Sequence, residues 1–234
     1  MKEKLLDLLA SNSLSERGFN LNFSLSDHGL GNSASPLILM AGENASGKSV
    51  ICRLLGKLSI EHDLRHVEIS MGDRNSKGVF SKIREYGRYG DEDRESTGYL
   101  TINRIIKDSK ALLESDKDFC FVLDEAELGL SEEYHQALGQ LIARTHADFL
   151  ASGRCRAFLV CSHSRILLKA ILASTSPRPS SIYLSMEPTD VTLYDWLDSP
   201  LMHRSIDDLL SLPERAREKR RSINQLRQSK ATTQ

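Results

Sequence analysis

The chain has no apolar run approaching the ~20 residues that a membrane-crossing helix needs. Its longer ones, such as Leu37–Ala41 and Phe119–Leu123, have strand length. It has no excess of one charge sign, with 31 Lys plus Arg against 32 Asp plus Glu and a formal net charge of -1. The whole molecule therefore has no general electrostatic pull toward nucleic acid or membrane. The four cysteines, Cys52, Cys120, Cys155 and Cys161, are not paired at metal-ligand spacing. Cys120 and Cys161 sit inside apolar runs, where buried free thiols are expected. A reducing, cytoplasmic compartment follows from that usage. The first residues, MKEKLLDLLASN, are too short and too charged for a secretory signal and read as an amphipathic helix. There is no internal repeat.

What remains is an ordinary globular composition, 40% hydrophobic and 27% charged over 234 residues, enough for one large domain with a core. Leu37–Ala41, Phe119–Glu127 and Ala157–Ser164 read as buried strands, and His66–Met71 as a further strand. Ser49–Leu58, Ile102–Leu113, Glu132–Leu150 and Ile166–Ala173 have helical spacing. Ile102, Ile105, Ile106 and Leu113 fall on one side of theirs. Phe19–Leu25 alternates apolar and polar residues, as a strand with one wet face does. SIYLSM and VTLYDWL flank EPTD and read as a hairpin. Buried strands alternating with helices predict an α/β domain with a parallel sheet, extended by antiparallel pieces.

One loop stands out chemically. Gly42, Glu43, Asn44, Ala45, Ser46, Gly47, Lys48 and Ser49 fit G-x-x-x-x-G-K-[ST], between a strand and a helix that continues through Val50. Glycines let backbone N–H groups turn inward and approach phosphates closely. The positive end of the following helix faces the same anion. Lys48 adds a point charge for the β- and γ-phosphates, and Ser49 offers a hard oxygen to Mg²⁺. A plain glycine turn with a surface lysine is the competing reading. The flanking strand and helix favour a phosphate loop, with ATP and Mg²⁺ as its ligands.

Asp124 ends an apolar strand and is followed by Glu125. Beside a phosphate loop, an aspartate there holds the Mg²⁺ shell, and Glu125 is placed to orient or deprotonate water. The alternative is that both simply cap the next helix. His163, after the third buried strand, is either a satisfied strand-end histidine or a group reaching the γ-phosphate. The sequence DEAE at Asp124–Glu127 looks like the carboxylate box of certain RNA helicases, but those need two tandem motor domains.

These pieces together resemble the ABC-type ATPase superfamily, and more closely its soluble branch of SMC-like, RecF-like and overcoming-lysogenization-defect-like ATPases. GENASGKS resembles that branch's G-x-N-x-S-G-K-S loop. FVLDEAELGLS resembles its D-E-P-E-x-x-L segment, with Ala126 where proline is frequent. CSHS resembles its T-H-S switch. The likeness covers Leu37–Ser164 well and the rest weakly. It implies a P-loop NTPase fold: an ABC-ATPase-like mixed sheet flanked by helices, with a short helical lobe at about 72–118 inside a domain spanning 1–212. It also implies that Lys48 and Ser49 bind phosphate and Mg²⁺, that Asn44 lines the loop, and that Asp124 holds Mg²⁺. Glu125 would be the catalytic base and His163 the γ-phosphate contact. Related ATPases often stack an aromatic under adenine, for which Phe19 and Phe23 are candidates, although core packing suits at least one of them.

Two features of that pattern are missing. No glutamine occurs between Ser49 and Asp124, so nothing inherits the family's glutamine-loop metal contact. The L-S-G-G-Q signature is reduced to ESTGYLTINRI, in which Ser96 and Gly98 match a minimal S-x-G. Two readings are open. Ser96 and Gly98 complete the ATP site of an opposing subunit, or Ser96 is only a helix N-cap. The first implies a head-to-tail homodimer sandwiching ATP. The interval is too short for coiled-coil arms. Beyond Pro213, PERAREKRRSINQLRQSK carries seven basic and two acidic residues, a helical or disordered tail. That tail is a candidate nucleic-acid contact without interleaved aromatics, and more simply a solvated face or docking segment. The functions expected are ATP hydrolysis that drives a protein or nucleic-acid effector, the ATP-binding subunit of a transporter, or a nucleotide-gated module with little turnover.

Overall fold

A computed structural model of the chain describes residues 20–24, 35–70, 97–186, 189–201 and 203–231. Its strands are β1 (Asn20–Ser24), β2 (Leu37–Gly42), β3 (Arg65–Ser70), β4 (Phe119–Asp124), β5 (Cys155–Cys161) and β6 (Ser180–Ser185). Its helices are α1 (Lys48–Glu61), α2 (Thr97–Leu113), α3 (His135–Ser152), α4 (Arg165–Ser174), α5 (Leu193–Asp198) and α6 (Ile206–Ala231). A 3₁₀ turn at Glu132–Tyr134 leads into α3. Among the described residues no helix is long and apolar enough to cross a membrane.

The strands form one mixed sheet in the order β1-β6-β2-β5-β4-β3. β6, β2, β5, β4 and β3 run parallel, and β1 adds to the β6 edge antiparallel. This is the α/β sheet that the buried runs predict, parallel with an antiparallel edge strand, and it is consistent with the P-loop NTPase-like fold that the family resemblance implies. Strand alternation divides the core in two. Leu37, Leu39, Phe121, Leu123, Phe158 and Val160 face α2, α3, α4 and α5. Ile38, Met40, Val122, Leu159, Ile182 and Leu184 face α1, through Ile51, Cys52 and Leu55. On the first side Phe119, Phe121, Phe149 and Phe158 pack ring to ring at 4.8 to 5.5 Å between centroids. Such pairs hold their rings in edge and tilted geometries that add to simple burial.

Two expectations are corrected. VTLYDWL is not the second strand of a hairpin, because Leu193–Asp198 is helix α5. Thr192 and Asp195 form a capping box there, each side chain accepting from the other's backbone N–H, which commits the segment to a helical turn. β6 pairs instead with β2 and β1. In α2 the buried stripe runs through Gly98, Thr101, Ile105, Ser109 and Leu112, while Ile106 is exposed. The polar members of that stripe hid its true face. α6 begins with a Ser205–Asp208 capping pair and runs through Pro213.

Candidate functional site

The three parallel strands β2, β5 and β4 end side by side, and their end residues are tied together by backbone. Glu125 N–H donates to Cys161 O at 2.9 Å, and Ser162 N–H donates to Met40 O at 3.0 Å. On the far side of β2, Glu43 N–H donates to Leu184 O at 2.9 Å. This last contact explains Gly42: a Cβ there would sit 2.3 Å from the Leu184 carbonyl oxygen. Any larger residue would push the loop off the sheet. Gly47 then takes a left-handed φ of 110° at the head of α1, as a glycine readily does.

The loop side chains split by role. Lys48 is buried, and its Nζ donates to the carbonyls of Gly42 at 3.2 Å and Glu43 at 2.9 Å. Burial holds its ammonium below the usual lysine range, opposed by the nearby charge of Glu125. Ser46 is fully buried and its hydroxyl has no hydrogen-bond partner. Asn44 and Ser49 are exposed, and Val50, in the first turn of α1, donates its N–H to Gly47 O. Glu43 acts as a tether: Oε2 accepts from Met186 N–H at 2.7 Å, and Oε1 pairs with Arg204 at 2.8 Å. A side chain inside the loop thus reaches the segment that starts α6.

Asp124 ends β4 next to this loop. Burial, then the like charges of Glu125 and Glu68, push its carboxyl up to about 6, against relief from Lys48 and a Ser49 hydrogen bond. Its Oδ1 is buried without a hydrogen-bond partner. Two hard oxygen donors, from Ser49 and Asp124, therefore meet where the negative charge of Asp124, Glu125 and Glu68 outweighs the Lys48 ammonium, a donor set that fits Mg²⁺. Glu125 follows with φ at 56°, a left-handed conformation unusual for a residue with a Cβ. Its Oε1 lies 3.2 Å from His163 Nε2. That hydrogen bond keeps the Glu125 carboxyl below its ordinary value despite partial burial.

Lys48, Ser49, Asp124, Glu125 and His163 thus lie together. Ser96 lies outside the described residues, as do Phe19 and the segment after β3 where a glutamine loop would fall. Gly98 is buried against the loop after β4, where a Cβ would meet Leu130 Cδ2 at 2.4 Å and Gly129 O at 2.6 Å. Its missing side chain serves packing within this chain.

Glu127 is a residue that the sequence reading did not assign. Its carboxylate is buried, and Oε1 accepts from Ser162 Oγ at 2.7 Å and from His163 N–H at 2.9 Å. It therefore fixes the backbone that carries His163. Ser164 continues the chain of contacts: its N–H donates to Ser162 Oγ, and its hydroxyl caps α4 and meets His135 Nδ1 at 2.8 Å. A second carboxylate two residues after Glu125 was visible in the sequence, but nothing there marked it as turned inward.

No family model matches the chain, and no curated protein does. Among solved structures, one titled "Structure of C. elegans PCH-2" is similar at a TM-score of 0.38 and 16% identity. The match covers 81% of this chain and 42% of that one, so this chain spans less than half of its length. Likeness at that level carries no argument about the chemistry here, which rests on the side chains just described.

Proposed function

We propose that the chain is a Mg²⁺-dependent ATPase of the soluble ABC-type branch, switching or driving a partner. The observation that carries this reading is the meeting of the Lys48 loop, the Ser49–Asp124 oxygens and the Glu125–His163 pair at adjoining parallel strand ends. The N–H groups from Gly42 to Val50 and the Lys48 ammonium would hold the substrate's phosphates. Ser49 and Asp124 would hold magnesium, which when bound supplies positive charge for the phosphate oxygens. Glu125, kept ionised by His163, would take the proton of an attacking water. His163 both orients that carboxylate and, by the family resemblance, contacts the γ-phosphate. Glu127 positions His163.

A head-to-tail dimer, with the Ser96 segment of the opposing copy closing the site, belongs to the same reading, in a cytoplasmic protein. The basic stretch after Pro213 is the proposed contact for an effector, protein or nucleic acid. One observation favours slow turnover, as in a nucleotide-gated module. Lys48 is bonded to its own loop carbonyls and Glu125 to His163, so substrate has to displace both sets of contacts.

The test is phosphate release from Mg–ATP, with calorimetry of a non-hydrolysable mimic. Lys48→Ala is expected to abolish binding. Glu125→Gln is expected to retain binding and lower turnover by about 10²–10⁴, the contribution of a positioned base. Wild-type protein that binds no mimic sinks the reading. Binding without release, even with partners present, leaves the gated module.

A further inference from the structure

A second set of metal-ligating atoms lies at the Lys48–Asp124 corner, on the side of the sheet covered by α1. Cys52 sits one helical turn beyond Lys48 on α1, and Cys161 is the last residue of β5. Both thiols are fully buried and free. Their sulfurs are 3.4 Å apart, and each lies within 4.8 Å of an Asp124 carboxylate oxygen. The sequence separates the two cysteines by 109 residues, and the fold alone brings them together.

We propose that Cys52, Cys161 and Asp124 form a binding site for a thiophilic divalent cation of the zinc class. Two thiolates and a carboxylate are ligands that zinc accepts, with the fourth tetrahedral position left to water or the Ser49 hydroxyl. Zinc–sulfur bonds of about 2.3 Å set tetrahedral sulfurs about 3.8 Å apart, so this pair has to part by only about 0.4 Å. Asp124 Oδ1 is buried and lacks a hydrogen-bond partner, so an acceptor is already in place. Charge also balances: three anionic ligands face one divalent ion and the Lys48 ammonium, whose charge is felt at all three. Each thiol gives up its proton to water as its sulfur–metal bond forms, so one ion enters, two protons leave, and nothing is oxidised or reduced.

Magnesium does not select sulfur, so the two cations would use different ligand sets that share one carboxylate. A zinc-class ion at the cysteines would take Asp124 away from magnesium and hold the site off. That exclusion rests on the ATPase reading. The metal site does not.

The experiment uses the full chain, reduced and freed of metal, without nucleotide, and Co²⁺ as the probe. A thiolate-to-cobalt charge-transfer band is expected, displaced by Zn²⁺. It is lost in Cys52→Ser and Cys161→Ser and kept in Cys120→Ser. No band in folded wild-type protein, or a band that survives both substitutions, overturns the proposal. Should the serine variants fail to fold, wild-type protein decides by alkylation mapped on peptides. Zn²⁺ is expected to slow modification of Cys52 and Cys161 at least tenfold while leaving Cys120 and Cys155 unchanged, and equal rates overturn the site. Magnesium and ATP mimic binding with unchanged affinity while the cobalt band persists overturns the exclusion. Absent mimic binding in magnesium to protein free of cobalt and zinc counts against the phosphate-loop reading, and the cobalt result stands apart from it.

Discussion

Replacing Asp124 by Asn is expected to make the metal-free protein more stable at neutral pH. The reason lies in the position of this carboxylate, crowded by burial and by Glu125 and Glu68, with its carboxyl raised from the ordinary 3.8 to about 6. Two units at 1.36 kcal/mol each set an upper bound of about 3 kcal/mol. Solvent reaching part of the group leaves about 1–2 kcal/mol. The sign follows from linkage. Above the folded value of about 6, the wild type carries a charge that folding disfavours. Below the unfolded value of 3.8, the carboxyl is protonated in both states and the penalty is gone. The advantage of Asn therefore grows as pH rises from 3.8 through 6 and is then constant. Urea unfolding in chelator reads it, using the emission of the single tryptophan, Trp196, which packs beside Tyr183 and under the Arg165 guanidinium. An Asn variant no more stable than wild type at about pH 7.5, or a gap that stays constant down to about pH 4, refutes the argument.

Gly98→Ala is expected to destabilise by about 1–3 kcal/mol despite the better helix propensity of alanine, since the new methyl meets the Gly129 backbone. Chemical denaturation measures it, and a neutral effect would show that the loop after β4 yields freely. Glu127→Ala strands the Ser162 hydroxyl and the His163 N–H and is expected to cost about 2–4 kcal/mol, with Glu127→Gln costing less because it keeps an acceptor. Equal losses for the two would remove the positioning role. Glu125→Gly and Glu125→Ala both remove the contact with His163, so comparing them isolates the backbone. The glycine variant is expected to be more stable by about 1 kcal/mol, the cost of a left-handed φ of 56°, and a more stable Ala variant contradicts that strain.

The central strands were legible because they are buried on both faces and so read as continuous apolar runs: Leu37–Ala41, Phe119–Leu123 and Ala157–Cys161. The Gly42–Ser49 loop between β2 and α1 was legible because its tight geometry demands glycine at fixed steps. α5 was misread because six residues hardly distinguish a period of 2 from 3.6, and its deciding signal was the Thr192–Asp195 spacing rather than hydrophobicity. The site's supporting groups were hidden for another reason. Glu127 meets Ser162 across 35 residues and Cys52 meets Cys161 across 109, and such pairs exist only once β5 has been inserted between β2 and β4.

The Glu43–Arg204 pair ties the loop after β2 to a long helix. α6 starts two residues after Arg204 and runs for 26 residues, about 39 Å at 1.5 Å per residue. With its base pinned to the loop, a tilt of about 10° there sweeps the distal end through about 7 Å at that same rise. Sub-ångström adjustments of that loop would thereby be geared up into a displacement as wide as a side chain is long.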